Sequence, residues 1–424
     1  MGRTSEAPGF YKLSSMERLK FVQEFAGLSD DDIKLLQKTG ALGLEQANRM
    51  IENVIGTTEL PLGIATNFLI NGKDYLVPMA IEEPSVVAAA SNAAKIARSR
   101  GGFYTESTPS IMIGQVQLVD VKNPSKAKET ILAQKKQILS KANGQDPFLV
   151  KLGGGAVDLE AHVIDTPQGS MVITHLLVDV RDAMGANVIN TMCEAVAPMI
   201  GELAGGKVSL RIVSNLATHR MARAKATFSR EALGGEEAVE GVLRAYAFAA
   251  ADPYRCATHN KGVMNGIIAV ALATANDTRA LEAGAHAYAS KDGAYKSLTH
   301  WERDVNGNLV GSIELPVAVG VIGGATGVHP VAKICRKILG VKTARELGEV
   351  MAAVGLAQNL AAMRALVAEG IQAGHMKLHA RNMATMAGAK GELIDIVARK
   401  MVMEKKIRLD RAVEILRELK SEKS

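Results

Sequence analysis

Hydrophobic and polar positions follow a helical period over the first seventy residues of the chain. Two start signals stand in this region, because Ser14 with Glu17 and Ser29 with Asp32 have the spacing of a capping box. In a capping box, each side chain accepts a hydrogen bond from the other residue's backbone amide. The pattern therefore predicts two short N-terminal helices.

Two Asn-Gly pairs, Asn71-Gly72 and Asn306-Gly307, each separate two apolar runs. Asn-Gly suits the tight turn of a β-hairpin, so a hairpin is predicted at each position. After the first hairpin, Pro84 occupies a favourable first position for a helix, which would run to the glycines at 101–102. Glu83 would then stand at a strand-to-helix junction.

Residues 110–215 alternate between strand and helix patterns in a regular order. The predicted elements are a strand IMIGQVQLVDV, a helix from Pro124 to about Ala142, a strand near Leu159–Ile164, a strand MVITHLLVDV, a helix from Asn187 to about Leu203 and a strand KVSLRIV. The order β-α-β-β-α-β is that of a ferredoxin-like unit. Residues 110–215 are therefore predicted to form a small domain inserted into a larger one.

The flanking segments 1–109 and 216–374 are apolar and have no linker-like edge, so we expect them to form one helix-rich large domain. Within it, Thr343 and Glu346 form a third capping-box spacing, followed by two predicted Ala-rich helices. Residues 375–424 carry more charge and predict three amphipathic helices, a candidate mobile flap. The predicted fold class is α+β.

Composition supports a folded protein and weakens one class of partner. Of 424 residues, 47% are hydrophobic and 4% aromatic, so small side chains must fill much of the core. The formal net charge is +6, but Lys and Arg are scattered and the aromatic residues that stack on bases are scarce. We therefore expect no nucleic-acid partner, whereas an anionic small molecule suits the mild positive charge.

Cysteine usage and the N-terminus predict a cytoplasmic protein. Cys193, Cys256 and Cys335 are odd in number and lack metal-ligand spacing, which favours a reducing compartment. The first residues have no apolar signal-peptide core, and no uninterrupted apolar stretch is expected to span a membrane.

Phosphate-binding motifs are weak in this chain. No G-x-G-x-x-G occurs, and Gly201–Lys207 lacks the hydroxyl residue that a phosphate loop needs. The segment Asp182–Asn187, DAMGAN, lies between a predicted strand and a helix, where backbone amides can face a pyrophosphate. The periodicity alone favours an ordinary turn, and Asp182 could equally be a helix cap.

His375 and His379 stand four residues apart, a spacing that zinc ligands use on a helix. Met376 replaces the glutamate that usually follows the first histidine, and no third ligand has a recognisable spacing, so no metal site is expected here. His375 follows Gly374 at the base of the candidate flap. A surface histidine and a proton donor that swings into a site both remain open for it.

Glu83, Lys261 and Asp277 are three further candidates for chemistry. Glu83 lies at a helix start, Lys261 in the small and apolar stretch ATHNKGVMNG, and Asp277 in TANDTR. Each charge alone is typical of a solvent-exposed or capping residue. No sequence spacing brings the three together.

Five segments taken jointly carry a resemblance to a known family. They are ENVIG at 52–56, EPSVVA at 83–88, DAMGAN at 182–187, HNKGVMN at 259–265 and GHM at 374–376. In this order the chain closely resembles 3-hydroxy-3-methylglutaryl-coenzyme A (HMG-CoA) reductase, along essentially its whole length. The short N-terminus and the EEPS form of the glutamate motif resemble class II of this family.

The resemblance implies reduction of a thioester to a primary alcohol by two hydride transfers, through mevaldyl-CoA and mevaldehyde, with release of CoA. It implies Lys261 as the oxyanion stabiliser, Glu83 as a proton donor, Asp277 as the acid that links and tunes them, and His375 as the donor to the CoA thiolate. Proton donation near neutral pH needs a carboxyl whose pKa is raised, and a second carboxylate nearby acts in that direction.

The resemblance also implies where cofactor and substrate bind. The small domain would bind the dinucleotide through Asp182, Ala183, Met184, Gly185, Ala186 and Asn187, and Asp146 matches a position associated with preference for NAD over NADP. A carboxylate can accept from a ribose 2′-hydroxyl and repels a 2′-phosphate. Ser85, Arg255 and Asn265 fall in stretches that hold the hydroxymethylglutaryl group, and Arg255 suits its free carboxylate.

The expected partners are HMG-CoA, mevalonate and CoA, in a homodimer or an assembly of dimers that shares its active site. Tyr11, beside Lys12, departs from an arginine that a member of the family uses at its N-terminus. Two alternatives from other classes stay open: a non-catalytic acyl-CoA-binding relative of the same fold, and a zinc hydrolase using His375 and His379. The direction of the physiological reaction is not readable from these residues.

Overall fold

The computed structural model describes the backbone of residues 4–368 and 371–421 and the side chains within them, except those of residues 368, 371–378 and 420. The N-terminal part consists of a 3-10 turn Phe10–Lys12 and helices α1 Ser15–Ala26, α2 Asp30–Gln37 and α3 Leu44–Asn48. Both predicted capping boxes are formed, with Ser14 and Ser29 bonded reciprocally to the third residue of their helices. The short α3 was not predicted.

The first hairpin is confirmed as strands β1 Leu62–Ile70 and β2 Lys73–Ala80, followed by α4 Val86–Arg98 and β3 Phe103–Ser107. The prediction that α4 begins at Pro84 was wrong, because the chain turns at Pro84 and Ser85 before the helix. Glu83 is thus part of the turn that leads into α4.

The region 110–215 contains β4 Ile111–Val119, α5 Pro124–Ala133, α6 Lys135–Asn143, α7 Pro147–Lys151, β5 Gly155–Thr166, β6 Gly169–Asp179, α8 Ala186–Ala204 and β7 Lys207–Ser214. These strands form an antiparallel sheet in the order β5-β6-β4-β7, which is the ferredoxin-like arrangement. The single helix predicted from Pro124 to Ala142 is instead two, because Gln134 leaves helical geometry with φ −98° and ψ 12°.

The chain continues with β8 Met221–Phe228, α9 Arg230–Leu233, α10 Glu236–Ala251, α11 Pro253–Ala273, α12 Thr278–Ala289, β9 Thr299–Arg303, β10 Leu309–Pro316, α13 Gly324–Val328, α14 Pro330–Leu339 and α15 Ala344–Ala368. β9 and β10 form the hairpin predicted at Asn306-Gly307. A six-stranded sheet runs β2-β1-β3-β8-β10-β9. Since β3 pairs with β8, strands from before and after the small sheet share one sheet and one apolar core.

Helix α15 corrects two predictions. It is one helix of 25 residues rather than two, and its segment Ala344–Val367 is long and apolar enough by length and composition to cross a membrane. In this structure 67% of that apolar window is buried, against α11, α4 and the large sheet. A core helix passes the same test, so the finding is weak as an indication of a membrane span.

Small residues let α11 and α15 approach closely at the centre of the core. A Cβ on Gly355 would lie 2.9 Å from Ile267 Cδ1, and a Cβ on Gly266 would lie 3.0 Å from Gln358 Cβ. Such contacts are tighter than packed side chains normally make. The Ala- and Gly-rich composition is thus used where α11, which carries Lys261, is held against α15.

The C-terminal segment forms the three predicted helices, α16 Ile371–Met386, α17 Glu392–Met403 and α18 Leu409–Ser421. Ala384, Val397 and Ile415 belong to an apolar cluster whose members, among the described residues, all lie within 380–419. The segment therefore has a small core of its own.

Candidate active site

Two of the predicted charges meet in an ion pair. Lys261 Nζ on α11 donates to Glu83 Oε2 at 2.7 Å, across 178 positions of the chain. Asn265 Nδ2, one helical turn beyond Lys261, lies 3.5 Å from the same oxygen. The Lys261 side chain is 60% exposed and the Glu83 side chain is 34% exposed, so the pair is accessible to a ligand.

One face of α11 carries most of the candidate polar groups. At about 100° per residue, Arg255, Thr258, Lys261 and Asn265 project within one third of a turn of the helix. The helix is stopped from fraying at its start by Asp252, whose carboxylate accepts from the Arg255 amide at 2.7 Å. The sequence thus places a guanidinium, an ammonium and an amide on one face of α11.

A cavity of about 640 Å³ is lined by this face of α11 together with residues of α4 and α15. Its lining includes the predicted residues Glu83, Ser85, Arg255, Lys261 and Asn265. The structure therefore brings together five positions that stand in two distant segments of the sequence. The cavity is closed on its third side by α15 residues, including Arg364.

Arg255 is suited to an anion. Among the described side chains, none of the carboxylates forms an ion pair with it, and burial lowers the pKa of its guanidinium from the usual value. A half-buried cation without a partner gains most from a ligand that supplies the opposite charge. A carboxylate bound here would complete its hydrogen bonding.

Ser85 has an unusual backbone conformation for a residue with a side chain, with φ 73° and ψ −14°. Its carbonyl accepts from the Ala89 amide at 2.8 Å, whereas its side chain makes no cap to α4. Left-handed backbone at a non-glycine residue costs free energy and often marks functional positions. The turn leaves the Ser85 hydroxyl available to the cavity.

Asp277 has a different set of contacts from the one expected. It caps α12 by accepting from the Arg279 and Ala280 amides at 3.0 and 3.1 Å, and it pairs with the Arg279 guanidinium at 3.0 Å. Among its contacts in the described part of the chain, neither Glu83 nor Lys261 appears. In this structure Asp277 therefore acts as a helix cap rather than as a link between the pair.

His259 lies under the cavity and is 2% exposed. Its Nε2 is 2.7 Å from the Thr299 hydroxyl, and its Nδ1 has no hydrogen-bond partner among the described residues. Burial, aided by the nearby Arg255 charge, lowers the pKa of His259 to about 4. Its imidazole is therefore neutral near pH 7 and adds no charge to the cavity.

The DAMGAN segment forms the turn between β6 and α8, where Gly185 has φ 104° and a Cβ would lie 2.6 Å from Val180. Only glycine fits this position without strain. Gly185 provides no side-chain cap to α8, so the amides of its first turn point outward. The Asp182 carboxylate accepts instead from the Ala344 amide of α15 at 2.9 Å, so it does not cap α8.

Arg220, which the sequence did not single out, holds this turn in place. Its guanidinium donates to the carbonyls of Ala183 and Met184 at 3.1 and 3.0 Å and to the Val319 carbonyl. Burial lowers the pKa of Arg220 to about 10, against the opposing effect of Asp179 and Asp182. No sequence signal marks it, because all its acceptors are backbone atoms brought together by the fold.

The remaining candidates lie elsewhere. Asp146 caps α7 by accepting from the Leu149 amide at 2.8 Å. His375 lies on α16, but its side chain is outside the described residues, whereas His379 is exposed. Tyr11 is 77% exposed beside a separate cavity of about 1000 Å³ that is also lined by Arg18 and Lys95.

Comparisons with known proteins agree along almost the whole chain. A family model described as hydroxymethylglutaryl-coenzyme A reductase matches residues 14–380. A 3-hydroxy-3-methylglutaryl-coenzyme A reductase of Archaeoglobus fulgidus is 65% identical over 418 residues, covering 99% of this chain and 95% of the relative. A probable enzyme of the same name from Borreliella burgdorferi is 36% identical and covers 84% of this chain and 82% of its own length.

Solved structures give the same picture. A reductase of this name from Streptococcus pneumoniae has a TM-score of 0.83 and 42% identity, covering 97% of this chain and 99% of its own. A class II enzyme from the same organism, bound to NADPH in open conformations, has a TM-score of 0.82 and 42% identity, covering 96% and 100%.

Proposed function

The chain belongs to the hydroxymethylglutaryl-coenzyme A reductase family, and we propose that it interconverts HMG-CoA with mevalonate and CoA, using NAD(H) in preference to NADP(H). The observation that carries the proposal is the Lys261–Glu83 pair, held with Asn265 and Arg255 around one cavity. This set supplies a cation, an acid and an anion-binding group within reach of one small substrate. It favours a reductase over both a non-catalytic acyl-CoA-binding protein and a zinc hydrolase.

The reaction consumes two hydrides and two protons. The first hydride and proton convert the thioester to mevaldyl-CoA, a hemithioacetal, whose collapse releases CoA thiolate and leaves mevaldehyde. In that release the hydroxyl proton of the hemithioacetal passes, in net terms, to the thiolate, so no additional proton is consumed. The second hydride and proton then convert the aldehyde to the primary alcohol. When bound, a reduced dinucleotide would supply one hydride, so two of them would be consumed for the two reductions.

Lys261 is proposed to stabilise the oxygen on which negative charge develops in both reductions. A fixed ammonium does this in the transition state more than in the ground state, and so lowers the barrier. Glu83, in contact with it, is proposed as the proton donor to that oxygen.

Asp277 is proposed to complete this set when the substrate is bound. Its present contacts are to the Arg279 side chain and to two amides, and a carboxylate released from Arg279 would be free to turn. Ser85, Arg255 and Asn265 are proposed to bind the hydroxymethylglutaryl group, with Arg255 facing its free carboxylate. These three positions line the cavity that holds Lys261.

The dinucleotide is proposed to bind against residues 182–187. The uncapped start of the 19-residue helix α8 fits a pyrophosphate, because its outward-facing amides and helix dipole both favour an anion. Arg220 would keep the carbonyls of this turn directed away from that anion. The proposed preference for NAD in this chain rests on Asp146 alone. A class II structure from Streptococcus pneumoniae is described as bound to NADPH and does not add to it.

Residues 375–424 are proposed as a flap that brings His375 to the departing thiolate. The large domain is proposed to consist of residues 1–109 and 216–374, and the small domain of residues 110–215. The separate apolar clusters of α16–α18, the small sheet and the large sheet support this division. Each unit can then move as a body while keeping its own core.

A homodimer or an assembly of dimers in the cytoplasm is the proposed setting. In the ENVIG segment Ile55 is fully exposed, as is much of the neighbouring Ile51, which suits a contact with a second copy. The three cysteines are free and buried, which suits a reducing compartment.

The test is a comparison of initial rates of HMG-CoA reduction and mevalonate oxidation, each with NAD(H) and NADP(H). The proposal expects both directions to proceed, with the higher kcat/KM for NAD(H). A protein that binds HMG-CoA but turns over neither substrate would be the non-catalytic relative. A higher kcat/KM for NADP(H) would overturn the cofactor preference alone.

A further inference from the structure

The open face of the small sheet carries a cluster of imidazole and carboxylate groups outside the proposed active site. Glu160 and His162 are on β5, and His175 is on β6. Glu160 is paired directly with His175 across the two antiparallel strands, and His162 is two residues further along on the same face. The register therefore forces three potential metal ligands onto one small area of surface.

The distances suit a metal ion. One ligand atom from each of the three residues lies within 4.8 Å of the others. His162 Nε2 and Glu160 Oε2 are 3.2 Å apart, and the two imidazole rings have centroids 4.7 Å apart. Ligands at about 2.0–2.1 Å from a tetrahedral ion are about 3.4 Å from one another, so small side-chain rotations would bring the three atoms onto one ion.

The supporting shell is also present. Gln115 on the neighbouring strand β4 has its side-chain amide 2.9 Å from His175 Nε2. With the amide turned, Gln115 Oε1 would accept from the His175 Nε2–H and leave Nδ1 for the metal. His175 and Glu160 are half-buried, while His162 is exposed, so the cluster has a solid base and an open side.

We propose that Glu160, His162 and His175 form a binding site for a divalent transition-metal ion, with Zn²⁺ as the best match. Two imidazoles and one carboxylate are the three-ligand set of open zinc sites, and imidazole nitrogen disfavours Mg²⁺ and Ca²⁺. Water would take the fourth position. An ion here ties β5 to β6 and is not required by the reaction proposed above.

Zn²⁺ binding is measured on the full-length protein without a histidine tag, by competition with a chromogenic zinc indicator. One Zn²⁺ per chain is expected at this site. His162→Gln and His175→Gln should each weaken its affinity by at least about tenfold, as loss of a metal-site group does. Co²⁺ added in place of Zn²⁺ should give the visible absorption bands of a low-coordinate site, which both variants lose.

The chain offers a matched control. His300 and Glu302 lie on β9 at the same two-residue spacing, with His300 Nε2 3.7 Å from Glu302 Oε2. Among the described residues this pair is not part of a group of three potential metal ligands. His300→Gln should therefore leave Zn²⁺ binding unchanged. Glu160→Gln, which preserves size and hydrogen bonding, provides a third variant should a histidine variant lose the native circular dichroism spectrum.

The proposal is overturned if the wild-type protein binds no Zn²⁺, or if His162→Gln, His175→Gln and Glu160→Gln all bind it as the wild type does. Loss of binding in His300→Gln to the same degree would also contradict the assignment. Because the readout needs neither HMG-CoA nor dinucleotide, failure here leaves the proposed reductase function untouched.

Discussion

Lys261 Nζ and Glu83 Oε2 are 2.7 Å apart, although the small sheet separates the two residues in the sequence. The lysine lies on a core helix. The glutamate lies in a turn, two residues before Ser85, which has a left-handed backbone conformation. An exposed ion pair of this kind contributes only about 0–1 kcal/mol to stability. Its purpose is therefore better sought in chemistry than in folding.

Replacement of Lys261 tests that purpose. Lys261→Ala should lower kcat in both directions by about 10²–10³-fold or more, because it removes a fixed partner of the developing oxyanion. The free energy of unfolding should change by less than about 1 kcal/mol. Steady-state rates and urea unfolding measure the two effects, and Lys333→Ala, an exposed lysine of α14, is the control. Near-normal turnover in folded Lys261→Ala would end the catalytic assignment.

Asp146 is expected to determine cofactor preference. Asp146→Ala should lower the ratio of kcat/KM for NAD to that for NADP, because the carboxylate would no longer accept from a 2′-hydroxyl or repel a 2′-phosphate. The variant also loses the cap on α7. Glu129→Ala, an exposed carboxylate on α5, controls for the change in net charge. An unchanged ratio would assign the preference to other residues.

His375 is expected to act only where a thiolate leaves. A thiol such as that of CoA has a pKa of about 8.5, and a histidine of about 6.5 can protonate it near neutral pH. His375→Gln should strongly impair HMG-CoA reduction and largely spare reduction of supplied mevaldehyde. Truncation after Gly374 should do the same by removing the flap while the large core remains.

The adjacent histidine of the same helix is the control for this prediction. His379→Gln, at an exposed position of α16, should leave both rates near the wild-type value. Equal loss of the two half-reactions in His375→Gln would make that residue a structural or general binding residue. Equal loss in the two histidine variants would instead favour a role that His375 and His379 share.

Stability is expected to fall in weak acid because of His259. Its pKa is about 4 in the folded protein and about 6.5 in the unfolded chain, so between these values the unfolded chain binds more protons. Stability therefore rises with pH across this window, and lowering the pH from 7 to 5 should cost about 2 kcal/mol from this residue. Denaturant unfolding at both pH values measures the change.

His259→Gln isolates this contribution, because glutamine can keep a hydrogen bond to Thr299 but does not titrate. Its loss of stability between pH 7 and pH 5 should be smaller than that of the wild type by about 2 kcal/mol. His175 and His329, whose pKa values are also lowered by burial, act in the same direction and are common to both proteins. An identical pH dependence in the two proteins would contradict the assignment.

Local signals determined a large part of the fold from the sequence alone. The capping boxes at Ser14 and Ser29 and the hairpins at 71–72 and 306–307 are formed because all their hydrogen bonds lie within a few residues. The order of elements over 110–215 was also readable, since alternation with a period of two and capped helices are local patterns. The motif segments identified the family for the same reason: they are contiguous.

Packing decided what those signals could not. The break at Gln134, the start of α4 at Val86 and the single long α15 all differ from what the local pattern predicted. Burial of α15 between α11 and the large sheet likewise separates a core helix from a membrane span, which composition alone does not.

Tertiary structure decided above all which side chains meet. The contact of Lys261 with Glu83, the hold of Arg220 on the carbonyls of 183–184 and the facing of His162 and His175 join residues that no sequence spacing relates. Asp277, by contrast, caps α12 instead of reaching the pair. Residue types and local order reside in the chain itself, but distances between remote side chains exist only once helices and strands have packed into one core, because only packing fixes their relative positions.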